Sequence, residues 1–337
     1  MDYASTSVER LMSWREPLSP GWRASAAALA STLKAPEKAD LEAAGHCLRR
    51  LAGARLGDGE RLLVTRLARR ARALQTPLPG FRGFRLLLVS NRTTHFLAEA
   101  LEAAGAARGL LIEAVETGYD SVRALAFNPA FERPAGAFDA VLLMVDPDFL
   151  QRSGALLDAA QERADEAAAR SEIGRLVTAL RQRVGAPVIA ANMVTPPERQ
   201  LSSSDWVTPG TPRRFVAAVN LAMADLAEQR ELILFDLAAV AAQLGAEAFF
   251  DATRFYQAKT PFSLEAAPVV ADRLAAMIAA MTGCSGRALV LDLDNTLWGG
   301  VVADDGLEGL VLGQGSALGE AFLAVQAQAL ELRKRGV

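Results

Sequence analysis

From residue 84 onward, near-continuous apolar runs alternate with segments of helical spacing. The apolar runs are "FRLLLV" at 84–89, "GLLIEAV" at 109–115, "FDAVLLMV" at 138–145, "APVIAAN" at 186–192 and "ELILFD" at 231–236. Runs this short and this apolar predict strands buried on both faces, the pattern of a parallel sheet. Between them, "TTHFLAEALEAAG" predicts a helix with a threonine cap and a glycine stop, and "YDSVRALAFN" predicts a short helix. Longer helices are expected over about 155–183, 212–229 and 264–281. The expected fold is therefore α/β, a three-layer parallel-sheet domain of the flavodoxin type.

The flanks follow other patterns. Residues 1–82 read as a helical segment, with 3.6-residue spacing in "ADLEAAGHCLRRLAGARL" and "ERLLVTRLARRARAL". Arg66, Arg69, Arg70 and Arg72 make a basic stripe there, read as a solvated helix face. "TPLPGFRG" breaks the pattern and marks the boundary to the α/β domain, assigned to 83–283. After the linker "TGCSG", a third region at 286–337 begins with a new strand, "RALVLDLD". A small β excursion over "GGVVADDGLEGLVLG" and an amphipathic helix over "GEAFLAVQAQALELRKRG" are expected to follow.

A chain of 337 residues suits two or three domains, and an apolar content of 51% can fill their cores. The net charge of −3 gives no bulk attraction for nucleic acid or an anionic membrane, so neither is expected as a partner. Two cysteines, Cys47 and Cys284, make no disulfide framework and suit a reducing compartment. No apolar run approaches the ~20 residues of a membrane span. The N-terminus lacks a secretory pattern, so the expected location is cytoplasmic. With only His46 and His95 present, a multi-histidine metal site is excluded.

The chemistry concentrates in "LVLDLDNTLWGG" at 289–300. In an extended strand, Asp292 and Asp294 point the same way, and ligands of parallel α/β sheets sit beyond the carboxyl ends of strands. Two adjacent carboxylates call for a cation, and Mg²⁺ favours carboxylate together with phosphate oxygen. One carboxylate can attack phosphorus to form an aspartyl-phosphate, while the other protonates the leaving group and later activates water. Thr296 is placed to hydrogen-bond the reacting groups.

This stretch closely resembles motif I of the haloacid dehalogenase superfamily. The resemblance implies Asp292 as nucleophile and metal ligand, Asp294 as general acid/base and metal ligand, and Thr296 as a local aid to substrate binding. Together with "GEAFLAVQAQALELRKRGV", it is similar to the FkbH-like branch, subfamily IIIC. "LLVSNRTTHFLAEAL", "TGYDS" and "YQAKTPFSLEA" look like the domain that often precedes it there. The resemblance implies Mg²⁺ as cofactor, a phosphorylated three-carbon substrate derived from 1,3-bisphosphoglycerate, and an acyl carrier protein whose phosphopantetheine thiol receives a glyceryl unit in polyketide or related biosynthesis. The family's phosphate-binding Ser/Thr, its charge-offsetting Lys or Arg and its second acidic cluster lie on later strands. The sequence to Val337 is therefore expected to be the incomplete start of a Rossmann-like phosphatase domain, inactive by itself.

The middle domain resembles the SGNH hydrolase fold. At the places of that fold's first and second catalytic blocks stand Ser90 with Asn91 and Gly118, expected to line the pocket mouth. The asparagine after strand three and the histidine near the last helix are missing, since the chain has "VDPD" and "DATRFYQAKTPF" there. A serine without an adjacent base is a poor nucleophile. Two alternatives to the phosphatase reading remain open: an SGNH-type ester hydrolase or acyltransferase using Ser90, and a non-catalytic module that binds a carrier protein.

Overall fold

The computed structural model describes residues 11–34, 37, 40–197 and 201–336. The first ten residues of the expected helical segment, and Val337, lie outside them. The chain divides into two compact units, Met1–Gly283 and Cys284–Val337, each described separately below.

The first unit is an α/β domain on a five-stranded, all-parallel sheet. Its strands are β1 (Arg82–Ser90), β2 (Leu110–Glu116), β3 (Ala140–Met144), β4 (Val188–Ala191) and β5 (Ile233–Phe235), in the order β2-β1-β3-β4-β5. The central strand β1 pairs with β2 through Arg82↔Leu110 to Leu88↔Glu116 and with β3 through Leu86↔Ala140 to Ser90↔Met144. Its apolar run serves both faces: Leu87 and Val89 enter one core, Leu86 and Leu88 the other, and all four are buried.

One face is covered by α5 (Val122–Phe127), α6 (Ala159–Val184) and α7 (Pro212–Glu228), whose Leu125, Ile173, Leu176, Val216 and Val219 pack on Val141, Leu143 and Val188. On the other side, α4 (His95–Ala107) packs on β2 and on α11 (Ala267–Met281). The N-terminal helices α1 (Trp22–Thr32), α2 (Leu41–Gly53) and α3 (Asp58–Arg72) share a core with Ala103, Ala106 and Leu111, so they build onto the α/β layers. Between β5 and α11 lie three short helices, α8 (Leu237–Leu244), α9 (Ala246–Phe249) and α10 (Ala252–Ala258).

Several local expectations are corrected. Thr94 precedes α4 but makes no side-chain cap; its hydroxyl donates to Glu116 Oε1 at 2.8 Å. Gly105 does not stop α4: it lies inside the helix, where a Cβ would sit 2.8 Å from Ile112. It is there for close helix–strand packing. The basic stripe of α3 is not wholly solvated either. Arg69 Nε donates to the buried Glu102 at 2.6 Å, and Arg72 Nη1 donates to the Ile112 carbonyl at 2.7 Å, docking α3 onto α4 and β2.

The second unit differs more from expectation. Residues 286–293 form no strand, and Val290 is 91% exposed. A strand needs a neighbour for its backbone groups and apolar faces, and the described residues of this unit supply none. In place of a β excursion there is a single antiparallel bridge, Gly299↔Val311, and a short helix α12 (Val302–Asp305). The expected amphipathic helix is present as α13 (Ala317–Lys334). Gly299 presses on it so closely that a Cβ would meet Phe322 at 3.0 Å, and Gln326 Nε2 donates to the Leu297 carbonyl at 2.7 Å.

Ion pairs on the buried carboxylates of Asp272 and Glu162 stabilise the first unit. Asp272, 1% exposed, meets Arg15 Nη2 at 2.6 Å, Arg108 Nη2 at 3.0 Å and Arg273 Nη1 at 3.4 Å. Burial lowers the Arg108 pKa, with the Asp272 charge acting against it. The buried Glu162 takes both forks of Arg214 at 2.8 Å and accepts from Gly210 N at 3.0 Å. The Arg214 bond holds the Glu162 carboxyl below its ordinary 4.5. Gly210 itself has φ +85°, and a Cβ there would lie 2.0 Å from the Ala155 carbonyl.

Asp272→Asn leaves buried guanidinium charge unbalanced, and urea unfolding is expected to show a loss of about 3–5 kcal/mol. Glu162 has a depressed folded-state pKa, so its contribution is present above the ordinary value and is lost as pH falls through the folded one. Glu162→Gln should cost roughly 1–3 kcal/mol at pH 7. Urea curves of parent and variant should converge as the pH is taken well below 4.5.

Candidate functional site

The sheet order reverses at β1: the chain leaves it for β2 on one side and returns to β3 on the other. Loops diverge at such a switch point and leave a crevice beyond the strand ends. The residues just past β1 and β3 meet there. Asn91 Nδ2 donates to Asp146 Oδ1 at 2.8 Å, and Asp146 N donates back to Asn91 Oδ1 at 3.2 Å. Arg92 binds Asp146 through Nε and Asp148 through Nη2, the latter at 2.8 Å, and stacks on Phe255 at 4.7 Å. Burial alone would lower the Arg92 pKa, but the bond and charge of Asp146, with Asp148, raise it above its ordinary value.

Beside this cluster opens a cleft of about 310 Å³ at the carboxyl ends of β3 and β4. Its walls are largely apolar, with Met144, Met193, Pro196, Phe249, Phe250 and Phe255. Asn192 also lines it, but bonds Asp236 Oδ1 and the Ala238 amide at 2.8 Å each, fixing the turn into α8. Thr260, on the same wall, is buried, and its hydroxyl has no hydrogen-bond partner among the described residues.

The residues singled out by sequence fall apart around this cleft. Ser90 and Asn91 end β1 side by side but are 4% and 6% exposed, and neither lines the cleft. Ser90 Oγ accepts from Arg92 N at 3.0 Å. Gly118 is exposed beyond β2, its carbonyl bound by Ser121 Oγ at 2.6 Å. His95 is 60% exposed; its Nδ1 lies 3.1 Å from Glu116 Oε2, and it bonds no serine. Cys47 packs against the helical core. Arg92, Thr260 and the aromatic wall escaped sequence reading. The available signals were "SNR" after β1 and "DPD" after β3, an arginine and two aspartates at neighbouring strand ends.

In the second unit, Leu293 to Gly300 form a compact turn. The Asp292 carboxylate accepts from the Leu293 amide at 2.9 Å. Asp294 Oδ1 accepts from Trp298 Nε1 at 3.0 Å and from Val302 N at 3.4 Å. Thr296 N donates to the Leu293 carbonyl at 3.2 Å, and Asn295, at φ +54°, takes the Gly300 amide at 2.9 Å. Each aspartate keeps one carboxylate oxygen without a hydrogen bond among the described residues. Hard oxygen donors of this kind suit Mg²⁺, which takes one or two carboxylates and completes its shell with water and phosphate oxygen. No group of three or more potential metal ligands gathers among the described residues. No helix among the described residues is long and apolar enough to cross a membrane.

No curated protein matches the chain. Among solved structures, the N-terminal part of a Bacteroides fragilis protein containing a phosphatase domain, complexed with Mg, is similar at 24% identity and a TM-score of 0.68. The alignment covers 81% of this chain and 71% of that one, and it supports the α/β fold. A second structure, 13% identical with a TM-score of 0.34, covers 60% of this chain and 97% of its own, below the level of a shared fold. The model of the FkbH N-terminal domain matches residues 85–279, from the fourth residue of β1 to the last turn of α11. That match takes in more than half of the sequence, and the chain belongs to the FkbH family.

Proposed function

We propose that this chain serves a haloacid dehalogenase-type enzyme that removes phosphate from a three-carbon unit derived from 1,3-bisphosphoglycerate and loads glyceryl onto an acyl carrier protein. The observation that carries the reading is the Asp292-x-Asp294 pair directly following an FkbH N-terminal domain. The phosphatase domain and Mg of the Bacteroides fragilis protein add support.

In this reading the Asp292 carboxylate is the nucleophile. Its bond to the Leu293 amide holds one oxygen and leaves the other for attack on phosphorus. Asp294 is the acid/base, and its bonds to Trp298 and Val302 orient it for proton transfer to the leaving oxygen. Thr296 sits in the same turn to steady the substrate. Mg²⁺, held by Asp292 and Asp294, would offset the phosphate's charge. Asp292 takes the C3 phosphoryl group, the C3 oxygen leaves as a hydroxyl, and water hydrolyses the aspartyl-phosphate; the thiol of the carrier's phosphopantetheine arm attacks the C1 acyl phosphate, forming the glyceryl thioester and expelling inorganic phosphate.

An ester-hydrolase role for Ser90 finds no base beside it among the described residues. Its hydroxyl is buried and accepts from the Arg92 amide, and His95 is turned to Glu116.

The chain, alone and extended by whatever sequence its gene places after Val337, is to be incubated with Mg²⁺, 1,3-bisphosphoglycerate and a phosphopantetheinylated carrier protein. Intact-mass measurement of the carrier is expected to show a glyceryl gain that Asp292→Asn abolishes. Asp294→Asn should slow it by about 10²–10⁴-fold. No gain in any form, with the cognate carrier present, would refute the reading. A fluorophosphonate probe is expected to leave Ser90 unlabelled; labelling lost in Ser90→Ala would revive the hydrolase alternative.

A further inference from the structure

The cleft beside Arg92 has no part in the aspartate chemistry, yet it has the make-up of a binding site. At about 310 Å³ it lies at the lower end of small-molecule sites, ~300–1,000 Å³. The described charges do not favour an anionic ligand. Among the described residues of its walls Arg92 is the sole basic one, and it is committed to Asp146 and Asp148. Lys259 lies nearby but stacks on Phe255 and Tyr256 at 5.1 and 5.5 Å.

Of the polar groups left over, which include the exposed Asp148 Oδ1 and the Tyr256 hydroxyl, the two most withdrawn from solvent are a hydroxyl and a carboxylate. The Thr260 hydroxyl is buried without a partner among the described residues, which is costly unless something supplies one. It is sealed from water in this conformer, so ligand binding requires a step of χ1 to another staggered well. Asp251 caps α10 with Oδ1, donated to by Arg254 N at 2.9 Å, and its other oxygen remains to accept. One donor and one acceptor beside apolar walls match an amide on a carbon chain: its carbonyl accepts from Thr260, and its N–H donates to Asp251. The wall carrying both is anchored to the β1 loop, because Thr93 N donates to the Lys259 carbonyl at 3.0 Å.

We infer that this cleft binds an uncharged, amide-bearing chain of the pantetheine type, the arm of the carrier protein. The choice of the arm over other amides rests on the carrier being the acceptor, as proposed above. Pantetheine carries two amides joined by methylenes, with a hydroxylated dimethyl segment at one end and a thiol at the other, so it offers amide polarity and apolar skeleton without side chains at every step.

The full chain, ¹⁵N-labelled, is to be titrated with pantetheine, with N-acetylglycylglycinamide and with inorganic phosphate. Saturable shifts at Thr260, Phe255 and Met193 are expected with pantetheine, weaker ones with the capped dipeptide, and none there with phosphate. Thr260→Val keeps the shape and removes the orphan hydroxyl. It should weaken pantetheine roughly five- to tenfold, the worth of about one hydrogen bond, while the melting temperature of the free chain stays level or rises. A purely structural Thr260 would lower the melting temperature and leave affinity unchanged, which overturns the inference. So would absent saturation, equal affinity for the dipeptide, or shifts at the cleft with phosphate. Pantetheine binding that persists where glyceryl loading fails supports the cleft's assignment and counts against the loading chemistry alone.

Discussion

A parallel sheet must be covered on both faces, and nearly every feature of the first unit answers that requirement. Leu86 to Val89 turn alternately into two cores, so β1 is stable only between two helical layers. One layer is α5, α6 and α7, from within the alternating pattern. The other is α4 and α11, widened by the three N-terminal helices across Ala103, Ala106 and Leu111. The same requirement governs the second unit in reverse. "RALVLDLD" carries a strand-like apolar run from Ala288 to Leu291, yet without a neighbouring strand among the described residues of its unit it stays unpaired and largely exposed.

This constraint also explains what was legible in sequence. A strand buried on both faces is an uninterrupted apolar run, and all five such runs between 84 and 236 are strands. Helix ends were less legible because side chains there answer to tertiary partners. Thr94 turned from its expected cap to Glu116, and Gly105 serves packing against Ile112 rather than chain termination. The arginines of α3 read as a charged stripe; that two of them reach a buried carboxylate and a strand carbonyl depended on Glu102 and Ile112, some thirty to forty positions away.

The site divides along the same line. Asp292, Asp294 and Thr296 lie within five residues of one another, so sequence alone brings them together in one turn. The cleft is assembled from ends of β3 and β4 and from α9 and α10, so its members are spread over more than a hundred residues. Its legible trace was topological: loops after parallel strands converge. Which residue would be left with an unanswered hydroxyl could be learned only once the neighbours of Thr260 were fixed in space.

Arg15 and Asp272 stand near opposite ends of the first unit and meet at 2.6 Å in its interior. The earliest described segment is thus fastened by one of the last residues of that unit to be synthesised. During translation this contact can close only after α11 has left the ribosome. Assembly of the helical layer over α4 is therefore completed from the far end of the chain, and a nascent polypeptide halted before α11 carries an unclosed seam.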